Sequence, residues 1–427
     1  MKKYAVFFLV LIASCKQEPS TIDSLKTGGG HSPLPSHFRA DSGRYVVIMK
    51  EAFATPLIKQ SISAPDKDLA RPGIKQKVKD FALRYGVDVP DSLIYADIMV
   101  GFARHLDSAQ RMQIQQNDSA IVKVDFEVKL VDPVGQRDPM QQRDPMQQTE
   151  LDIISGTGTC ENVTCAVQKA GGSVDGSART QIIYILDTGV DPHVALNLIQ
   201  RENYVIGENK QDKNGHGTHV AGIAAGRKVT LGPGVGIQVC AGVSAGAKII
   251  SLKVLDKQGH GLWSYLLGAF NYLAIKGTSG DVVNMSLGAY CVDDCASAEP
   301  DITAFMDLLV TEKGVFFVMA AGNDGGFASK NFPGCHKGRN MVTVGAIDCS
   351  NACSFYSNYD PSIVDYVAVG TNVLSTYKND KYAIMSGTSM STAVVSGIIH
   401  SRGDKPRSGG TVSCPVGSTN SYPIAIR

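Results

Sequence analysis

The chain has 427 residues, 43% of them hydrophobic and 19% charged, enough for one large core and a smaller companion domain. With 41 Lys and Arg against 40 Asp and Glu the formal charge is +1, which excludes the basic field of a nucleic-acid binder and the like-charge block of an acidic tail. No nucleic-acid partner is expected.

In chain order, Lys2 and Lys3 precede an apolar run from Tyr4 to Ala13 that is too short to span a bilayer as a helix. The run ends Ile12-Ala13-Ser14-Cys15, which resembles the bacterial lipobox, whose Cys is acylated and becomes the mature N-terminus. Residues 1–15 are therefore read as a signal peptide, with Cys15 the lipidation site. No Asp follows Cys15, so an outer-membrane or surface anchor is expected, with membrane contact through the lipid alone; release as a secreted protein is the other outcome. Residues 16–43, with Gly28-Gly29-Gly30, Pro33 and Pro35, read as a flexible tether.

Ten cysteines in an exported chain point to disulfides. The close pairs Cys160/Cys165, Cys291/Cys295 and Cys349/Cys353 are each spaced to close a small loop, leaving Cys240, Cys335 and Cys414, but spacing alone does not fix the connectivity. No C-x2-C occurs and only His336 lies near a Cys, so no metal ligand is assigned.

Residues 44–131 read as a small α+β unit of ferredoxin-like type. Arg44 to Met49 is strand-like; Val78, Phe81 and Ala82 lie at helical spacing between Lys75 and Tyr85; Ala120 to Val131 alternates as one further strand. Gly101 to Leu106 looks like a strand entering a helix through an Asp107 or Ser108 N-cap. Residues 132–160 read as a linker. Residues 136–147 repeat Gln-Arg-Asp-Pro-Met-Gln twice, too few units for a solenoid, and the prolines interrupt regular structure.

The remaining residues, 161–427, form the third region. From Ala178 strands and helices alternate as in a doubly wound, mostly parallel α/β sheet. Strands are expected at Gln181–Leu186, Lys248–Val254, Val282–Met285, Val315–Ala320, Met341–Val344 and Ile363–Val369. Helices are expected at His216–Ala225, Leu262–Ile275, Asp301–Glu312 and Thr388–Ser401. In such a fold the site lies beyond the carboxyl ends of the strands, where Asp187 and Asn323 fall.

Three blocks then stand out: Asp187-Thr188-Gly189, His216-Gly217-Thr218-His219-Val220-Ala221-Gly222 and Gly387-Thr388-Ser389-Met390-Ser391. The order Asp, His, Ser is one of the chain orders in which the acyl-transfer triad recurs, and an α/β-hydrolase is excluded because its order is Ser, Asp, His. The chain resembles the subtilisin-like (peptidase S8) family, nearest its proteinase K branch, over most of residues 166–400. The resemblance implies a serine endopeptidase with Ser389 as nucleophile, His216 as base, Asp187 orienting that base and Asn323 donating to the oxyanion. Physics alone nearly ties His216 with His219; the family motif assigns the base to the first.

The resemblance further implies that Ser286-Leu287-Gly288 and Gly261 border an extended substrate, and that Ala321 and Gly322 lie beside the oxyanion donor. Polypeptides would bind by β-augmentation with broad specificity. By the same resemblance residues 44–131 form a propeptide that inhibits its own enzyme until a cut between Asp132 and Val167. A monomer is expected. No cofactor is needed for the chemistry; a structural calcium is possible but unassigned, Asp365 falling near a proteinase K calcium ligand. Ala393 stands where the family usually has Pro, and the 38 residues after Ser389 lack a clear terminal helix. The alternative is a catalytically silent protein that binds a partner while retaining its propeptide.

Overall fold

A computed structural model of the protein describes residues 44–50, 67–91, 94–96, 100–117, 120–124, 127–130, 165–231, 237–239, 241–291 and 300–427. The signal, the lipobox Cys15, the tether and the linker with its repeat lie outside the described residues. Among the described residues no helix is long and apolar enough to cross a membrane.

The N-terminal unit has strands β1 (Arg44–Met49), β2 (Ile94–Ala96), β3 (Val100–His105) and β4 (Ala120–Val124), with helices α1 (Lys67–Leu83) and α2 (Ser108–Gln115). The strands form an antiparallel sheet in the order β2-β3-β1-β4. Asp107 caps α2: its carboxylate accepts from the Gln110 amide N–H while the Gln110 side chain accepts from the Asp107 N–H. The alternation expected to run unbroken from Ala120 to Val131 is instead divided. β5 (Glu127–Leu130) leaves this sheet for another, because its backbone pairs with strands of the larger unit rather than with β1.

The larger unit carries β6 (Val174–Asp175), β7 (Ile182–Asp187), β8 (Asn197–Asn203), α3 (His216–Ala225), β9 (Val229–Leu231), β10 (Ile237–Val239), β11 (Ser244–Ala245) and β12 (Lys248–Lys253). Next come β13 (His260–Leu262), α4 (Trp263–Lys276), β14 (Val282–Met285), β15 (Leu287–Tyr290), α5 (Pro300–Leu308, continued by a π turn, Leu309–Lys313) and β16 (Phe316–Ala320). The chain ends with β17 (Asn331–Phe332), β18 (Met341–Ile347), β19 (Tyr366–Val369), the hairpin β20 (Val373–Tyr377) and β21 (Lys381–Met385), α6 (Thr388–Arg402), β22 (Arg407–Ser413) and β23 (Ser421–Ile426).

Nine strands make the main sheet, ordered β22-β23-β19-β18-β16-β14-β7-β12-β8, and every neighbour pair is parallel except β22 with β23. Its inner strands read as unbroken apolar runs because both faces are covered. Ile183 and Ile185 of β7 face the core with α3 and α6, whereas Tyr184 and Leu186 face the core with α4 and α5. That second core continues into the N-terminal unit through Tyr95, Phe81 and Phe102. Tyr95 is fully buried and donates from its hydroxyl to the Ser264 carbonyl of α4 at 3.0 Å.

The Cys160/Cys165 and Cys349/Cys353 pairs do not form, and Cys295 of the third pair lies outside the described residues. Cys165 bonds Cys349, and Cys353 bonds Cys414, because α-helical Cys165 and the β22–β23 hairpin both pack beside the 348–353 turn, out of reach in sequence. Where a terminal helix was missing, β22 and β23 close the sheet edge and the second disulfide holds them.

Candidate active site

Asp187 ends β7 and is fully buried. α3 begins at His216, whose Nδ1 lies 2.9 and 3.0 Å from the two Asp187 carboxylate oxygens. A carboxylate only accepts, so in the neutral ring Nδ1 carries the proton and Nε2 the lone pair. Two glycines permit this approach. Gly215, the N-cap at φ +107°, lies where a Cβ would fall 2.2 Å from the Tyr377 ring; a Cβ on Gly217 would fall 1.9 Å from the Gly189 carbonyl oxygen.

His219, one turn on, meets a different environment. Its Nε2 is 3.0 Å from the carbonyl oxygens of both Val373 and Ala383, so it donates there, and its Nδ1 has no hydrogen-bond partner among the described residues. Burial, with the nearby His216 adding to it, pushes its pKa down to about 3 against the opposing carbonyl bonds. It is thus held neutral.

Ser389 sits in the first turn of α6, which packs on α3, and is 1% exposed. Its Oγ lies 3.4 Å from the Ser286 carbonyl oxygen, and a chain of bonds from Ser396 through Asn284 and the Ser286 hydroxyl to the Ser389 carbonyl locks the helix to β14. Asn323 follows β16 and accepts at Oδ1 from both the Thr388 amide and the Thr388 hydroxyl, each at 2.9 Å. An amide N–H only donates, so the atom facing Thr388 is the oxygen and the donor end of Asn323 is the opposite one. Ala321 and Gly322 form the turn before it, with Ala321 in the core and Gly322 donating to Thr388 Oγ1 at 3.3 Å.

Ser286, which touches Ser389, leads into Leu287 and Gly288 of β15, and Gly261 lies on β13, the two strands that flank β5. β5 runs antiparallel between β13 and β15, Val128 opposite Gly261, Lys129 opposite Gly288 and Leu130 opposite Leu287. The two segments expected to grip substrate are held apart by main chain of the N-terminal unit.

Sequence reasoning passed over three residues. Asp212, fully buried, accepts from Thr188 Oγ1 (2.8 Å), Asn214 N (3.2 Å) and Gly215 N (2.8 Å) at Oδ1, and from Thr218 N (2.9 Å) and Oγ1 (2.6 Å) at Oδ2. Thr188 Oγ1 in turn accepts from Gly217 N at 3.0 Å. Lys253, also fully buried, donates to the carbonyls of Thr188 (2.6 Å) and Leu255 (2.7 Å) and pairs with Glu208 at 3.2 Å. The only signal was position: Asp212 stands four residues before His216, in a polar run that reads as solvent-exposed.

The residues around Asp365 do not fit a calcium ion. The Lys337 ammonium already bonds Asp365 Oδ1 and the Ile363 carbonyl, and the Thr343 N–H occupies Oδ2. A cation is thus supplied by the chain itself. Among the described residues no group of three or more His, Cys, Asp or Glu is placed to hold a metal.

The subtilase family model matches residues 178–400. Subtilisin BL of Lederbergia lenta is 35% identical over 219 residues, 50% of this chain and 73% of that protein. Subtilisin-like protease 1 of Pseudogymnoascus destructans is 35% identical over 234 residues, 52% of each, so the match spans about half the length of that relative. A crystal structure of a cold adapted subtilisin-like serine proteinase is similar at 26% identity and a TM-score of 0.47, over 59% of this chain and 90% of that one.

Proposed function

Since the chain belongs to the subtilase family, we propose that it is a serine endopeptidase that hydrolyses extended polypeptides and is made as a precursor that processes itself. The observation that carries this is the buried His216–Asp187 bond at the carboxyl end of β7, beside the helix whose first turn carries Ser389. Ser389 Oγ attacks the substrate carbonyl carbon as His216 Nε2 takes its proton. Asp187 holds the tautomer and stabilises the imidazolium, and Asn323 Nδ2 with the Ser389 N–H receives the oxyanion. His216 then returns the proton to the leaving amine, and water, activated the same way, releases the acyl group and restores Ser389.

Self-processing is supported by β5. Its register places Leu130, the last residue of β5, opposite Leu287, which follows Ser286, and the Ser286 carbonyl lies 3.4 Å from Ser389 Oγ. The cut is assigned to the segment that follows β5, between Asp132 and Val167. The released fragment, residues 44–131 together with the tether, would stay in the cleft as an inhibitor until degraded. Cys15 lipidation and export remain part of the reading, supported by the lipobox and by two disulfides that persist only in an oxidising compartment.

The test is fluorophosphonate labelling together with cleavage of denatured casein, by wild type and by Ser389→Ala. Expected are labelled, active wild type cut between Asp132 and Val167, and an unlabelled, uncut Ser389→Ala precursor. A wild type freed of residues 44–131 that neither labels nor cleaves would replace this reading with the silent binding protein.

A further inference from the structure

We propose that Asp212 is the positioning residue that sets the separation between Asp187 and His216, acting through Thr188 on one side and the Asn214–Thr218 turn on the other. The inference rests on the reading of Asp187, His216 and Ser389 as the catalytic groups, and it deepens that reading.

Burying a carboxylate is costly unless its oxygens are satisfied, and one held by neutral donors alone gives up the gain of a counter-ion. Asp212 is fully buried, and all five of its donors are neutral. What those donors share is their place. Thr188 is covalently next to Asp187; Asn214 and Gly215 lead directly into His216; Thr218 is in the first turn of the helix that His216 begins. No other carboxylate among the described residues bonds both the segment that carries the acid and the segment that carries the base, apart from Asp187 itself.

The link is also short and directional. Gly217 N–H donates to Thr188 Oγ1, and Thr188 Oγ1 donates to Asp212 Oδ1, so one hydroxyl reads the position of the helix and passes it to the carboxylate. From the opposite side the Lys253 ammonium grips the Thr188 carbonyl at 2.6 Å. Asp191 also ties the two segments, its N–H donating to Thr218 Oγ1 and its carboxylate accepting from the Asp212 N–H, but only Asp212 reaches Thr188, so relaxation at Asp212 is passed to the separation of Asp187 and His216 through Thr188. Asp212 itself touches neither ring nitrogen of His216 in the bonds described, nor the substrate channel between β13 and β15. Its effect therefore belongs in kcat rather than in KM.

Asp212 accepts only, which makes substitution informative. Asp212→Asn keeps the shape but turns an N–H pair toward oxygens or amides that already donate, and it also removes a charge. Thr188→Val keeps the shape and the Asp212 charge and deletes a single hydroxyl from the relay. We would measure kcat, KM and the pH profile of kcat/KM for wild type, both single variants and the double variant, each processed protein trimmed in trans by wild-type enzyme where it is too slow to process itself. Misplacing a base by a fraction of an ångström costs about 10- to 100-fold. Thr188→Val should lose about 10-fold in kcat with KM within about twofold, and the acid limb of kcat/KM should move to lower pH, because a loosened Asp187 stabilises the imidazolium less.

Asp212→Asn should lose about 100-fold, and the double variant should lose no more than that, since both substitutions open the same relay. If Asp212→Asn does not fold, Thr188→Val decides alone. A Thr188→Val protein with a lowered melting temperature but wild-type kcat and an unmoved acid limb would overturn the proposal and leave Asp212 a structural residue. Fully additive losses would overturn it too. Activity retained by Ser389→Ala would instead strike at the catalytic reading beneath it, so the two failures are distinguishable.

Discussion

The proposed catalytic cluster and the proposed substrate channel are built on opposite rules. Around Asp187, His216, Asn323 and Ser389 the bonds run largely through side chains, those of Thr188, Asp212, Thr388 and Ser286 among them. Between β13 and β15 the occupant is held by main-chain register, Lys129 against Gly288 and Val128 against Gly261. The first arrangement tolerates no change of atom. The second tolerates almost any side chain that leaves the backbone able to pair, which is what an enzyme must do if its own N-terminal unit and its substrates are to share one channel.

The largest effects test the first half of that contrast. Ser389→Ala should abolish hydrolysis; in subtilisin, a member of the family, loss of the nucleophile or the base costs about 10⁶-fold in kcat, and His216→Ala should cost as much because the two act as a unit. Asn323→Ala should cost less, about 10²–10³-fold, on the scale of the corresponding donor in subtilisin, with KM little altered. Steady-state kinetics on peptide substrates reads both. An Asn323→Ala enzyme within a few fold of wild type would mean that the Thr388 bonds orient the amide for stability alone.

The second half is tested by backbone, not by side chain. Lys129→Pro deletes one N–H from a strand that pairs on both edges, so the processed N-terminal fragment should bind about tenfold more weakly, as loss of a net hydrogen bond of about 1 kcal/mol with some strain implies. Lys129→Ala, which keeps the N–H, is the control and should inhibit like wild type. Inhibition constants of the two fragments against one enzyme preparation make the comparison. Equal values for wild type and Lys129→Pro would show that the interface through Tyr95 and α4, rather than β5, holds the fragment.

How much of this was legible in the sequence follows the same division. The inner strands and α3 announce themselves because burial on both faces or all round demands unbroken apolar runs: Val282–Met285 and His216–Ala225 are read from sequence to the residue. The proposed catalytic groups are legible because their blocks are short and local. β8 was not, since Asn197 to Asn203 is a polar edge strand whose pairing to β12 leaves no periodic trace. β5 was misread as a continuation of β4 because alternation reports exposure of two faces and says nothing about which partner lies alongside. Asp212 and Lys253 were invisible for a related reason: a buried charge looks like a surface charge until its partners, 24 and 65 residues away in Thr188, are folded against it.

The effect that is smallest at neutral pH, where it vanishes, and that grows as the pH falls separates the two histidines of α3. His219 has its pKa pushed down to about 3 by burial, whereas an unfolded His titrates near 6.5. Between those values the unfolded chain takes up a proton that the folded chain refuses, so the stability owed to a neutral His219 is complete above about 6.5 and drains away as the pH falls toward 3. One such proton corresponds to about 1.4 kcal/mol per pH unit. His193 and His400, also lowered by burial, act in the same direction. His219→Gln keeps an amide donor for the Val373 and Ala383 carbonyls and cannot be protonated, so it should flatten the slope by one proton without removing it. Denaturant unfolding of the Ser389→Ala protein with and without His219→Gln, from pH 7 to 4, avoids self-digestion and reads the difference directly. Parallel curves would mean that His219 titrates normally, and the contrast between a base facing a carboxylate and a structural ring facing two carbonyls would then fail at its second member.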